Sequence, residues 1–226
     1  MDLSNWGGFE SLTATATMPT LETLILGGHR GSAAGFSTNI FNYIPAVKYL
    51  DMTNIKLSSI DLTKCPYLET LIATGTNLTS VLLAEGSNIS EMYLPETFNT
   101  LSLIGQSKIT NDSIHFENTD NLLNLRIEKC ENVDSLALLN SIISSDTNNL
   151  KYIRITNLNI SGNGDDLIRY KNVGLLGLDS YGNAVLDKCK LVGTYKLTKL
   201  LDVETYNSLS TYFDELNIQQ PTYTEI

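Results

Sequence analysis

The chain has 226 residues, of which 42% are apolar and 18% charged, with 25 acidic against 15 basic side chains and a formal net charge of -10. That length and apolar content support a packed core, and the acidic surplus, relieved by no Lys/Arg cluster, argues against neutralising the phosphates of nucleic acid or of an anionic membrane. Three cysteines, Cys65, Cys130 and Cys189, are far apart and form no CxxC pair, which suits a reduced chain better than a disulfide framework.

Taken in chain order, residues 1–20 form a lead-in with no basic segment followed by an apolar run. No stretch anywhere approaches about eighteen uninterrupted apolar residues, so neither a signal peptide nor membrane insertion is expected. From Leu21 onward the frame LxxLxL recurs, at Leu21/Leu24/Leu26, Val47/Leu50/Met52, Leu68/Leu71/Ala73, Phe98/Leu101/Leu103, Leu122/Leu125/Ile127, Leu150/Ile153/Ile155, Val173/Leu176/Leu178 and Phe213/Leu216/Ile218. A match at three positions arises by chance on the order of four times in a chain this apolar, so the weight falls on what accompanies it.

Between Leu50 and Leu125 apolar clusters arrive about every ten residues, at Leu50, Ile60, Leu71, Leu82, Met92, Leu101, Ile114 and Leu125. Turn residues such as Pro66, Gly75, Gly86, Gly105, Asn111 and Asn121 separate them. Apolar residues at period two with Thr and β-branched neighbours oppose a helical reading. A short strand after every turn describes a solenoid with coils of about 21 residues, residues 21–178, in which Leu68 to Ile89 is one coil. Uneven spacing of the frames implies insertions on one edge, two of them helical: Ala33 to Tyr43, and Asp134 to Ser144 with Asp134 as N-cap. Residues 179–226 read as a hairpin turning at Gly182-Asn183 and then a β-α-β unit. Its strands are Leu191 to Leu197 and Leu216 to Ile218; its helix, Val203 to Phe213, is capped by Asp202 and buries Val203, Tyr206, Leu209 and Phe213.

The phrases LETLIATGTNLTSVLL, VKYLDMTNIKLSSIDL and LNLRIEKCENVDSLAL resemble irregular leucine-rich repeats of bacterial and phage type. That resemblance implies an α/β, β-rich solenoid in which LxxLxL is the concave strand and an Asn or Cys three positions later bonds backbone across coils. Only Cys130 sits in that slot; Asn54 and Asn77 stand one residue away, so Thr, Asn and Ser are expected to satisfy the turns locally. The ending YKLTKLLDVETYNSLSTYFDELNIQQPTYTEI and the phrase ISEMYLPETFNTLSLIG resemble segments of large virion proteins of tailed bacteriophages of gut bacteria, the crAss-like group in particular. The resemblance implies a non-enzymatic structural module of a tail or tail-associated protein, assembled in the host cytoplasm and acting in assembly or host attachment. Its partners would be other virion proteins, other domains of the same polypeptide or a host surface receptor. A bacterial cell-surface adhesion module of the same repeat type and a carbohydrate-active enzyme are the alternatives.

Chemistry is sparse. GGHRGSAAG, Gly27 to Gly35, follows a strand-like run with Asp51 about twenty residues on, the context of a dinucleotide turn, but Gly28, Gly31 and Gly35 give GxxGxxxG in place of GxGxxG and a Gly-rich loop is the better reading. His29 and Ser32 lack the elbow of a hydrolase triad, and His115 in SIHFE alternates outward to the surface. Asp165-Asp166 and the pair Glu128 and Glu131 are the nearest candidates for glycosidase acids, and SGNGDD offers oxygens to Ca²⁺ without the order of an EF-hand; solvated turns account for both. Cys130 reads as a small buried apolar residue, and Cys65 and Cys189 lack basic neighbours that would make a reactive thiolate. The eleven tyrosines are scattered, with edge packing as their expected role. No cofactor, metal or catalytic residue is therefore expected. The ends offer no amphipathic cap for a solenoid, which points to coverage by a neighbouring chain or by further polypeptide.

Overall fold

The computed structural model describes residues 1–4, 14–27, 38–143, 149–172, 189–210 and 215–221. These form a mixed α/β protein divided into two compact units, residues 1–122 with 129–134, and residues 123–128 with 135–226. The division falls within the segment 21–178. The strand pairs inside each unit are parallel.

The first unit holds eight short strands: β1 (Thr23–Ile25), β2 (Tyr49–Asp51), β3 (Ser59–Leu62), β4 (Thr70–Ile72), β5 (Ser80–Leu83), β6 (Glu91–Leu94), β7 (Thr100–Ile104) and β8 (Ile114–Phe116). One sheet has the order β1-β2-β4-β6-β8, and β3, β5 and β7 are neighbours in a second. From β2 onward, successive strands therefore alternate between the two sheets. Leu50 pairs with Leu71 and Leu71 with Met92, while Ile60 pairs with Val81, each step being 21 residues. The step lengthens between Leu24 and Leu50, where the chain inserts the 3-10 helix Thr38–Asn42, and between Met92 and Ile114, where it inserts Asn111–Ser113.

This register explains the frame. Two apolar residues two apart on a strand point to one face, and the first residue of the frame fills the space below the strand. Val47, Leu50, Met52, Leu68, Leu71, Ala73, Ile89, Met92 and Leu94 are all fully buried, stacked in rows of like residues. Each buried leucine contributes about 2 kcal/mol of apolar burial, so the rows are the main source of stability. The signature serves both sheets: Leu57/Ile60/Leu62 and Leu78/Val81/Leu83 supply β3 and β5 as Leu68/Leu71/Ala73 supplies β4. It does not mark one concave strand per coil. Leu82, counted among the periodic residues by sequence, is 58% exposed because its neighbour Val81 takes the inward position.

The corners are held by polar groups in columns of the same period. Asn54 and Gly75 both adopt left-handed backbone, with φ of 64° and 67°, and a Cβ on Gly75 would run into Asn54 Oδ1. Glu117 Oε2 accepts from the amides of Gly75 (3.3 Å) and Glu96 (3.1 Å), tying three turns together. At the slot three residues past the frame stand Cys65, Thr76, Gln106 and Cys130, all buried. Cys65 thus shares the position expected for Cys130 alone. Thr76 donates its hydroxyl to the Ala73 carbonyl (2.7 Å), and Gln106 Nε2 donates to the carbonyls of Ala84 (2.9 Å) and Ile104 (3.1 Å) while Oε1 accepts from Ser87 (2.8 Å). The Thr76 bond is local, as expected, whereas Gln106 reaches Ala84 and Ser87 in the preceding coil and so bonds across coils as a ladder asparagine would.

The second unit alternates strand and helix: β9 (Asn124–Glu128), α1 (Ser135–Ile142), β10 (Tyr152–Gly162), α2 (Asp165–Asn172), β11 (Cys189–Leu197), α3 (Val203–Ser210) and β12 (Glu215–Gln219). Its strands lie in the order β12-β11-β10-β9, so three β-α-β connections follow one another. Arg169 of α2 donates to Asn140 Oδ1 (3.2 Å) and to the Ile143 carbonyl at the end of α1, and α2 also packs against α3. The expected insertion at Asp134 to Ser144 is α1, and the expected terminal β-α-β unit is β11-α3-β12. Asp202 caps α3 by accepting from the Thr205 amide (2.8 Å) and hydroxyl (2.6 Å).

Two expectations change here. Val203 is 74% exposed, because the first residue after the cap faces outward; Leu209 is the buried residue of α3, and Tyr206 donates its hydroxyl to the Ile218 carbonyl (2.7 Å). Asp165-Asp166 form the first turn of α2, a helix that the sequence reading took for a solvated turn; Leu167 on it is fully buried. Of the expected helix Ala33 to Tyr43, the described part is the 3-10 helix Thr38–Asn42. The hairpin at Gly182-Asn183, the frame Val173/Leu176/Leu178 and Phe213 lie outside the described residues.

Candidate functional surfaces

Because the inward strand positions pack the cores, chemistry is left to the outward strand positions. In the first unit the register sets Asp51, Ile72, Tyr93 and His115 in one row on the outer face of the five-stranded sheet. His115 stacks on Tyr93 with ring centroids 4.4 Å apart and planes 15° apart. Its Nε2 lies 3.5 Å from Glu91 Oε1, which also accepts the Tyr93 hydroxyl at 2.6 Å. That hydrogen bond holds the Tyr93 proton on and raises its pKa above the ordinary phenol value. His115 is therefore an outward residue tied to its neighbours.

Asp51 is occupied by structure. Its Oδ1 accepts from the amide (2.9 Å) and hydroxyl (2.7 Å) of Thr53, closing the turn after β2, and a Cβ on Gly27 would lie 2.6 Å from the same oxygen. Oδ1 of Asp51 thus serves the turn after β2. Gly28, His29, Gly31, Ser32 and Gly35 lie outside the described residues. Cys65 lies 3.5 Å from the Phe41 carbonyl and is fully buried, and desolvation pushes its thiol up to about 11, away from nucleophilic use. The backbone of Cys189 is part of β11. Among the described residues no cluster of His, Cys, Asp or Glu is arranged to hold a metal ion, and no helix is long and apolar enough to cross a membrane.

The second unit has the more organised surface. Leu125, Ile127, Ile153 and Ile155 turn inward, so Arg126, Glu128, Tyr152 and Arg154 turn to the opposite face. Arg126 and Arg154 are direct register partners on β9 and β10, and both bond the Glu128 carboxylate: Arg126 through Nε (2.8 Å) and Nη2 (3.2 Å), Arg154 through Nε. The Glu128 side chain is 12% exposed, against 43% and 35% for the arginines. Hydrogen bonding from Arg126, opposed by desolvation and reinforced by Arg154, holds Glu128 below the usual carboxylate range. It is a fixed anion, unsuited to donate a proton to a leaving group. Asp165 is likewise engaged, its Oδ2 accepting from Asn163 Nδ2 (2.6 Å) while Asn163 Oδ1 accepts from the Asp165 amide (2.9 Å) as α2 begins. Neither arginine is singled out by the sequence; the alternation in LRIE and YIRI was the available signal.

Comparison with protein-family models, with curated proteins and with solved structures gives no match to this chain.

Proposed function

We propose that the chain is a non-enzymatic structural and interaction module, a leucine-rich-repeat-like solenoid that belongs to the virion of a tailed phage and acts in tail assembly or host attachment. The observation that supports this reading most directly is the 21-residue parallel register of the first unit, since stacked coils of one kind bury their apolar rows and leave broad, regular outer faces for contact. In chain order the second unit continues the alternation with α1, α2 and α3 in the places that β-strands take earlier, the strand-helix rhythm of leucine-rich repeats. The engagement of Glu128 by two arginines and of Asp51 and Asp165 in turns speaks for scaffolding over hydrolysis.

The virion assignment leans on the resemblance of the phrases Ile89 to Gly105 and Tyr195 to Ile226. Mass spectrometry of gradient-purified particles tests it: peptides of this chain at a fixed ratio to the capsid protein are expected. Finding them only in the cell-wall fraction of an uninfected bacterium would overturn it in favour of a surface adhesin.

A further inference from the structure

The arrangement of Arg126, Glu128 and Arg154 is more than a surface ion pair. The two guanidinium groups sit on neighbouring strands, about 4.8 Å apart across the sheet, and are both gripped at Nε by a carboxylate that is itself mostly buried. Among the described residues, Nη1 of Arg126 and both terminal nitrogens of Arg154 have no further hydrogen-bond partner, although both side chains reach solvent. One carboxylate against two guanidinium groups leaves a net positive charge. Tyr152, 38% exposed, lies two residues before Arg154 on the same face. In a chain of net charge -10 this is an uncommon concentration of cations.

We infer that this face of the second unit binds a carboxylate-bearing saccharide, an acidic polysaccharide chain of uronic-acid type. Planar guanidinium forks match planar carboxylates, and arginines already held by Glu128 lose little freedom on binding. Tyr152 supplies a flat ring beside the cations for the apolar face of a sugar. An open sheet face suits an extended polymer with repeated charges. The inference rests on the interaction-module part of the proposed function and not on its virion part, so particle association and saccharide binding fail independently.

The test is affinity electrophoresis and calorimetry of the full chain with polygalacturonate, with neutral dextran, dextran sulfate and poly-glutamate as comparators. Polygalacturonate is expected to bind, and Arg126→Gln with Arg154→Gln to weaken it about tenfold or more. Arg154→Lys, which keeps the charge and the fold, is expected to weaken it nearly as much. Glu128→Gln separates orientation from charge, since it makes the face more positive. A site built on orientation loses affinity in that variant, whereas a merely cationic surface gains it. Unchanged binding in Arg154→Lys, a gain in Glu128→Gln, tighter binding to poly-glutamate or dextran sulfate, or no binding of polygalacturonate would each overturn the inference.

Discussion

Replacing Gln106 by Met tests whether buried polar corners or apolar rows carry the first unit. The two side chains have nearly the same length, and Gln106 is 1% exposed, so the exchange leaves little cavity and adds apolar volume to a core. On apolar burial alone the variant should be more stable by about 1 kcal/mol. Against that stand three lost hydrogen bonds, to Ala84, Ile104 and Ser87, each worth about 1 kcal/mol net. The two carbonyls keep a second partner each, from the Ser87 and Gly86 amides, but the Ser87 hydroxyl, itself 2% exposed, is left without its acceptor. The balance is a loss of about 2 kcal/mol, or about 4 to 8 °C in Tm for a chain of this size. Thermal and urea unfolding followed by circular dichroism measure it. Adding Ser87→Ala to Gln106→Met should cost almost nothing further, although Ser87→Ala alone costs about 1 kcal/mol, a coupling that a double-mutant cycle reads. A raised or unchanged midpoint in Gln106→Met would refute the reasoning, since it would mean the slot behaves as ordinary core.

The ionised state of Glu128 stabilises the second unit above the ordinary carboxylate value near 4.5, and that stabilisation is lost as pH falls through its lower folded value. The urea-midpoint gap between the native chain and Glu128→Gln should thus be constant from about pH 5.5 to 7 and narrow towards pH 3; a gap independent of pH would contradict it. Cys65, with its thiol near 11, should resist iodoacetamide at pH 8 in the folded chain and react once urea unfolds it, as followed by peptide mass spectrometry. Gly75→Ala should lower the midpoint by about 1 to 2 kcal/mol, because the left-handed backbone and the contact with Asn54 Oδ1 both disfavour a Cβ. Val203→Asp should shift Tm by less than about 0.5 kcal/mol equivalent, whereas Leu209→Asp should unfold the second unit by burying an unpaired charge.

The division between what the sequence disclosed and what it hid follows from which interactions leave a periodic trace. Rows of stacked apolar residues do, so the coil Leu68 to Ile89 and its two strands were legible, as were α1 and the unit β11-α3-β12, each announced by a cap or an apolar spacing. A frame that fits both sheets leaves no trace of which sheet it serves, which is why the frames at Leu21, Val47 and Leu68 look equivalent to that at Phe98 although they lie on different sheets. Helix α2 hid because DDLIRYKN sets Leu167 and Ile168 side by side with no aliphatic residue a turn later, so it shows no stripe, and its signal was the Asn163 side-chain turn that precedes it.

The candidate binding surface was the least legible part, for a reason that bears on how to look for it. Arg126 and Arg154 are 28 positions apart, and only the β9-β10 register, set by α1 and the chain that follows it, makes them neighbours. Glu128 looked like one solvated acid among 25 in a list of residues, and its meaning changed when two cations closed on it. In a protein whose buried apolar rows hold parallel strands in register, the information about partners is carried by pairs created by that register. Deleting Ile153 from β10, which would bring Arg154 to an inward position while keeping it in the chain, should abolish binding at the paired site and lower the unfolding midpoint of the second unit; binding retained in that variant would contradict the dependence on register.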